Sequence, residues 1–294
     1  MSTTNDTHQT KVDSATGVST TGHEWDGISE LNNPLPRWWL WVWYATIVWA
    51  VIYWFLYPAW PLISSATPGL LGWHSRSAVA VQLADLQALR AESAAKLANA
   101  SLEQIEQTPA LLSLARAQGR VAFADNCAPC HGAGGAGATG FPNLNDDDWL
   151  WGGSLEQIQQ TIKYGIRSGD SEARTGSMPA FGKDGILQKA EISAVADYVR
   201  TLSGIAKPGA DFDKGKEVFA ANCAACHGED GKGNQELGAP NLTDGIWLYG
   251  SDKATIEYGL TNGRGNVMPA WHVRLDPTTI KALTVYVHSL GGGR

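Results

Sequence analysis

All four cysteines of this 294-residue chain lie in two pentapeptides, CAPCH at 127–131 and CAACH at 223–227. Cysteines one helical turn apart can each add a sulfur to one of the two vinyl groups along one edge of a haem. The histidine that follows then reaches the iron from one side, so C-x-x-C-H reads as covalent haem c attachment. A thioredoxin-like redox pair would be expected once and beside a βαβ pattern, and half of a zinc site needs two further ligands at zinc spacing. Neither accounts for a histidine in both copies. Cys127, Cys130, Cys223 and Cys226 are therefore expected to carry the thioethers of two covalently bound haem c groups, with His131 and His227 as axial ligands.

Apart from Met1 the chain has two methionines, Met178 and Met268, each in a Met-Pro-Ala segment, 47 and 41 residues after the preceding pentapeptide histidine. Core methionines would be scattered through helices; one per pentapeptide, at matching loop positions, reads as a thioether ligand. Taken in chain order, Met178 is expected opposite His131 and Met268 opposite His227, with Pro179 and Pro269 stiffening the two loops. A histidine–methionine pair closes both axial positions and raises the reduction potential. Such domains carry electrons and leave no place for oxygen or peroxide, so no catalytic residue is expected in this chain. The carbonyls of Pro142 and Pro240 are candidates to orient the two histidines. Arg167 and Arg264 are candidates to pair with haem propionates, and Trp149 and Trp247 to pack on the porphyrin face. His272 has Gly182 as its counterpart and is a weaker candidate ligand; His74 and His288 read as surface or capping residues.

The elements that must position these residues repeat. GRVAFADNCAPCHG at 119–132 answers GKEVFAANCAACHG at 215–228. PNLNDDDWLWGGS at 142–154 answers PNLTDGIWLYGS at 240–251, SMPAF at 177–181 answers VMPAW at 267–271, and TIKYGI at 161–166 resembles TIEYGL at 255–260. Each copy closes with an amphipathic helix, at 191–202 and 278–290. The expectation is an all-α protein with two tandem cytochrome c domains, 109–206 and 207–294, joined through Gly204–Gly209.

Ahead of the repeats, Trp38 to Tyr57 is twenty residues without a charge, flanked by tryptophans and tyrosine at both ends. At about 1.5 Å per residue it spans roughly 30 Å, the thickness of a bilayer core, and its aromatic ends suit the two interfaces. No small-residue cleavage site follows, so 38–57 is expected to be a retained transmembrane helix. The patch from Pro61 to Trp73 is too short and too rich in Pro and Gly for a second span. Residues 1–37 read as a largely disordered tail and 58–108 as a linker with a helix from Ser75 that Pro109 ends or interrupts. The net charge of −7 makes nucleic acid a poor partner. One basic residue flanks the span on each side, Arg37 and Arg76, which leaves its orientation open. Thioether attachment outside the bacterial cytoplasmic membrane resolves it: the tail is expected in the cytoplasm and everything from about 58 in the periplasm, where free thiols would not persist.

Each repeat resembles a class I cytochrome c, and HEWDGISELNNPLPRWWLWVWYATIVWAVIYWFLYPAWPLI at 23–63 resembles the anchor of the FixP/CcoP family, the diheme cytochrome c subunit of cbb3-type cytochrome c oxidases. The resemblance runs from about residue 23 to the end. It implies an electron-transfer subunit of an inner-membrane respiratory oxidase. Its donor would be a soluble or membrane-bound cytochrome c or the cytochrome bc1 complex, and its acceptors the monohaem cytochrome subunit and the catalytic subunit. The competing reading is a free-standing, membrane-anchored diheme carrier serving other redox enzymes; a thiol–disulfide enzyme is a third.

Overall fold

The structure, a computed structural model, describes residues 10–291 and separates into two compact units divided between Leu89 and Arg90. In the first, β1 (Thr20–Trp25) and β2 (Ile28–Leu31) form an antiparallel hairpin. Its turn is Asp26-Gly27, both in the left-handed region at φ 48° and 82°, the backbone that a two-residue hairpin turn demands. Val12 also bridges Ser19. The expectation of a disordered tail over 1–37 is thus corrected for residues 12–31; the first nine residues lie outside those described.

The helix α1 (Arg37–Leu56) has no buried residue and is the one helix among the described residues long and apolar enough to cross a membrane. A helix apolar on all sides and covered by nothing of its own chain is what a bilayer accepts. Its end is closed by the chain that follows: Leu70 and Leu71 donate N–H groups to the carbonyls of Phe55 and Leu56 at 2.9 and 3.1 Å. This satisfies acceptors a helix terminus otherwise leaves open.

From Ser75 onward the regular elements are all helices, and the division between the units falls within the first of them. The helix α2 (Ser75–Asn99) is followed by α3 (Leu102–Gln107), started by a capping box between Ser101 and Gln104. Pro109 interrupts the helical run, one of the two outcomes expected from the sequence: α3 stops at Gln107 and Pro109 opens α4 (Pro109–Asn126), where a missing N–H costs nothing. The linker is also less solvated than a spacer. Leu97, Ala100, Leu102 and Ile105 are buried with Ala115, Leu155 and Val285, and Lys281 Nζ caps the exit of α2 by donating to the carbonyls of Ala98 and Ala100.

The remaining helices are α5 (Ala128–His131), α6 (Leu155–Tyr164), α7 (Lys189–Leu202), α8 (Phe212–Asn222), α9 (Ala224–His227), α10 (Lys253–Asn262) and α11 (Pro277–His288). They pack across the expected division into 109–206 and 207–294. The first helix of repeat one, α4, packs on the last helix of repeat two, α11; the last helix of repeat one, α7, packs on the first of repeat two, α8. Gly119 and Gly215 occupy equivalent positions at these two crossings, where a Cβ would run into the carbonyl oxygens of Ala282 and Ala194. Each second half has therefore been exchanged, and two cores result. One holds Phe123, Ile158, Ile162, Ile280, Leu283 and Val287; the other holds Val195, Val199, Val218, Phe219 and Leu260. Each fully buried Leu, Val or Phe contributes about 1.5–3 kcal/mol to closing them.

The chain passes between cores at Gly165 and Gly263, both in the left-handed region and both closing a helix. Their equivalence fixes the true repeat register: Ser154 and Asp252 cap α6 and α10 alike. The resemblance of TIKYGI to TIEYGL is therefore one helical turn out of register.

Candidate haem sites

The two pentapeptides fold alike. Cys127 ends α4 and heads the one-turn α5, with the N–H groups of Cys130 and His131 donating to its carbonyl at 3.1 and 2.9 Å; Cys223, Cys226 and His227 repeat this at 3.1 and 2.9 Å. One turn of helix sets the two sulfurs on neighbouring positions of one face with the histidine beside them. No disulfide joins the cysteines. Cys130 and Cys226 are exposed, Cys127 is half-buried and Cys223 buried. Burial, with the adjacent thiol second, pushes Cys127 and Cys223 up to about 11.

His131 Nδ1 lies 3.1 Å from the Pro142 carbonyl oxygen and His227 Nδ1 lies 3.0 Å from that of Pro240. A carbonyl can only accept, so Nδ1 carries the proton and Nε2 is left with its lone pair, the form that ligates iron. Burial lowers the pKa of both imidazoles, opposed by those carbonyls, and so favours the neutral ring. The donor set fits haem c. Among the described residues no three His, Cys, Asp or Glu side chains converge on a metal position.

The methionines are brought in crosswise. Met268 packs against the same buried core as Cys127, Ala128, Leu144 and Trp149. Met178 packs against the same buried core as Cys223, Ala224, Leu242 and Trp247. Chain order pairs Met178 with His131 and Met268 with His227, whereas each methionine lies on the core that carries the other repeat's C-x-x-C-H cysteine. The reason lies in the exchanged halves. Met268 exchanges two backbone hydrogen bonds of 3.0 Å with Ile166, the residue after Gly165, and Met178 exchanges bonds of 2.9 and 3.1 Å with Arg264, the residue after Gly263. Both methionines are half-buried.

The arginines nominated for propionates are engaged elsewhere. Arg167, at φ 53°, donates to the carbonyls of Asn266, at 2.7 Å, and Gly176. Arg264 donates to the Thr255 carbonyl at 3.2 Å and stacks over the Tyr249 ring at 3.9 Å. Both staple the segments that cross between cores. His272 is held by Asp170 at 2.7 Å, and His288 by Glu106 at 3.0 Å. Asp170 was not singled out in the sequence; it sits in a stretch of repeat one that repeat two lacks.

Two family descriptions match the chain. Residues 17–64 match the N-terminal domain of cytochrome oxidase-cbb3, FixP. Residues 115–199 and 210–287 each match cytochrome c oxidase, cbb3-type, subunit III, one match per repeat. Among similar proteins, the cbb3-type cytochrome c oxidase subunit FixP of Azorhizobium caulinodans is 72% identical over the full length of both chains. FixP of Bradyrhizobium diazoefficiens is 62% identical over 98% of this chain and all of its own. The subunit CcoP of Cereibacter sphaeroides is 51% identical over 93% of this chain and 95% of its own. A mostly helical chain with one candidate membrane helix, two C-x-x-C-H turns and matches of this extent belongs to the FixP/CcoP family of cytochrome c subunits of cbb3-type cytochrome c oxidase.

Proposed function

We propose that the chain binds two haem c groups with exchanged axial ligands. Cys127, Cys130, His131 and Met268 would hold one, and Cys223, Cys226, His227 and Met178 the other. The observation that carries this reading is that each methionine packs against the buried core on which the other repeat's first haem cysteine, Cys127 or Cys223, also packs. Haem c so bound supplies a one-electron ferric–ferrous couple.

The chain's own contribution is to close and tune that couple. His131 and His227 are oriented by the proline carbonyls, the methionines are presented by loops pinned to the opposite repeat, and together these residues would hold each iron through a nitrogen and a sulfur. No position remains for oxygen, so the chain relays electrons and the reduction of oxygen belongs to a different subunit. The apolar cores exclude water from the buried side of each site, while exposed Cys130 and Cys226 mark the edge at which electrons enter and leave.

The tail lies in the cytoplasm, α1 spans the inner membrane once, and the haem-binding unit is periplasmic, because thioethers are formed outside the cytoplasmic membrane. The donor is a soluble or membrane-bound cytochrome c or the bc1 complex, and the acceptors are the monohaem and catalytic subunits. Purification in mild detergent tests this assignment: the chain should emerge with copper, b-type haem and two haem c per copy. Recovery alone, with haem c only, would overturn the subunit reading in favour of a free-standing carrier.

A further inference from the structure

The segment between α1 and α2 is neither a second span nor an open linker. From Trp38 to Ser75 the sequence has no Asp, Glu, Lys or Arg, so the uncharged run continues well past Leu56, where α1 ends. There the chain turns back on itself. Pro61 bridges Ala66, the Leu62 N–H donates to the Ser65 carbonyl at 2.7 Å, and the Thr67 N–H donates to the Trp60 carbonyl at 3.0 Å. The return leg lies against the end of α1 through the bonds that Leu70 and Leu71 make to Phe55 and Leu56. Gly69, at φ 68°, comes so close that a Cβ would collide with the Leu56 carbonyl oxygen; glycine alone tolerates both that backbone and that approach.

This loop turns its apolar side chains outward. Ile63 at the tip is fully exposed, and Leu62, Leu70 and Leu71 are more than half exposed. Trp60 and Trp73 extend the aromatic end of α1, their ring centroids 4.9 Å from Trp54 and 6.0 Å from Tyr57. Trp54 and Phe55 of α1, with Trp60, Thr67 and Leu70 of the loop, line a cleft of about 470 Å³, within the roughly 300–1,000 Å³ of small-molecule sites. Its one polar side chain, Thr67, already accepts from the N–H groups of Ala59 and Trp60 at 3.3 and 3.1 Å. The cleft offers chiefly apolar surface.

We propose that residues 58–73 form a lipid-binding foot: the loop lies in the interfacial zone of the leaflet that meets the C-terminal end of α1, and its cleft takes an acyl chain of a phospholipid. This rests on the reading of α1 as a membrane span. Continuity of surface selects lipid as the occupant. Trp54 and Phe55 belong to the last turn of a helix with no buried residue, so the hydrocarbon that covers α1 reaches the cleft without a break. Tryptophan rings suit the depth at which acyl chains meet headgroups, and the first charge beyond them, exposed Arg76, suits a phosphate. The loop itself carries no charge with which to select a protein partner. Interfacial anchors set the tilt of a spanning helix, so the foot fixes how the chain leaves the membrane.

The test uses the full-length, haem-loaded chain in nanodiscs of phosphatidylethanolamine and phosphatidylglycerol that include a phospholipid with a diazirine in its acyl chain. After illumination, tandem mass spectrometry locates the label. Residues 60–73 should be labelled as heavily as α1, and the helices of the two cores should stay unlabelled. Leu70→Asp puts a carboxylate at the cleft without removing a buried contact, since Leu70 is 81% exposed and its backbone bond is kept. It should lower labelling of the loop about tenfold, as expected of a charge that faces hydrocarbon, with the label on α1 and the haem spectrum unchanged. An unlabelled loop beside a labelled α1, or undiminished labelling in the variant, would overturn the proposal. So would a loop labelled in the isolated chain but protected in the assembled oxidase, which would make another subunit the occupant. Should the variant not accumulate, the labelling of the parent, alone and in the oxidase, decides. Label absent from α1 as well would overturn the spanning reading together with the proposal.

Discussion

The exchanged ligand set can be tested with one haem at a time. In a chain carrying Cys223→Ala and Cys226→Ala, only the haem at Cys127 and Cys130 remains. In that background Met268→Leu conserves volume, so its packing cost is below about 1.5 kcal/mol. The loop stays in place because two backbone hydrogen bonds of 3.0 Å to Ile166, worth together about 2 kcal/mol, do not depend on the side chain. No neighbour is free to substitute. His272, four residues on, is tied by its Nε2 to Asp170 at 2.7 Å and by its backbone N–H to the Lys163 carbonyl at 3.2 Å. The substitution should therefore change stability little and remove the sixth ligand from every molecule. Titration with carbon monoxide, followed in the Soret region, should give one equivalent bound per chain for Met268→Leu and none for Met178→Leu. The opposite result, with Met178→Leu opening the site and Met268→Leu leaving it closed, would refute the exchange and restore the pairing by chain order.

Other outcomes follow from the packing and the charges. Gly119→Ala and Gly215→Ala place a methyl group where the Tyr286 and Tyr198 Cβ atoms lie 2.6 and 2.7 Å away; the helix pairs must part, and urea midpoints should fall by the equivalent of about 1–3 kcal/mol in each variant, an unchanged midpoint counting against the crossing. Asp148 is raised from its ordinary 3.8 to about 6 by burial, then by Asp244 and Asp146. A carboxyl raised on folding favours the fold fully below its unfolded value, and that contribution is lost as pH rises through about 6. Asp148→Asn should therefore match the parent at pH 4 and exceed it in thermal stability at pH 7.5, and an equal difference at both pH values would show that the carboxylate is not strained.

Much of the chemistry was legible because it is written in short, rigid spacings. C-x-x-C-H needs only one turn of helix, and the structure builds that turn twice with the same hydrogen bonds. The proline carbonyls were found for the same reason: PNL lies 11 and 13 residues downstream of the histidine and is bound to fold back on it. The hairpin was missed although Asp26-Gly27 is a strong turn signal, because its flanking strands carry no alternation: Trp25 is 57% and Ile28 74% exposed. Pro109 was legible only as a break that ends or interrupts a helix, because proline is compatible with a helix at the first position and incompatible four residues later, so the residue alone does not say which side of a boundary it occupies.

The exchange was not legible for a deeper reason. Two homologous repeats present interchangeable parts: α4 meets Ala282 and Tyr286 of α11 in the same way that α8 meets Ala194 and Tyr198 of α7, and either first helix would accept either last one. Interface chemistry cannot choose between the arrangements; the connections can. From Gly263 to Met268 repeat two has five residues, whereas from Gly165 to Met178 repeat one has thirteen. The short connection takes the chain directly into the pairing of Met268 with Ile166. The long one folds partly on itself, with the Arg167 N–H donating to the Arg174 carbonyl and the Arg174 N–H to the Gly165 carbonyl, and presents Asp170 to His272 on the incoming loop. Each methionine is thus clamped by the residue that leaves the opposite helix. Arg264, which pairs with Met178, stands four residues before Met268, so a displacement of one methionine loop would be passed along the chain to the other, a physical route for the two proposed haem sites to respond to one another.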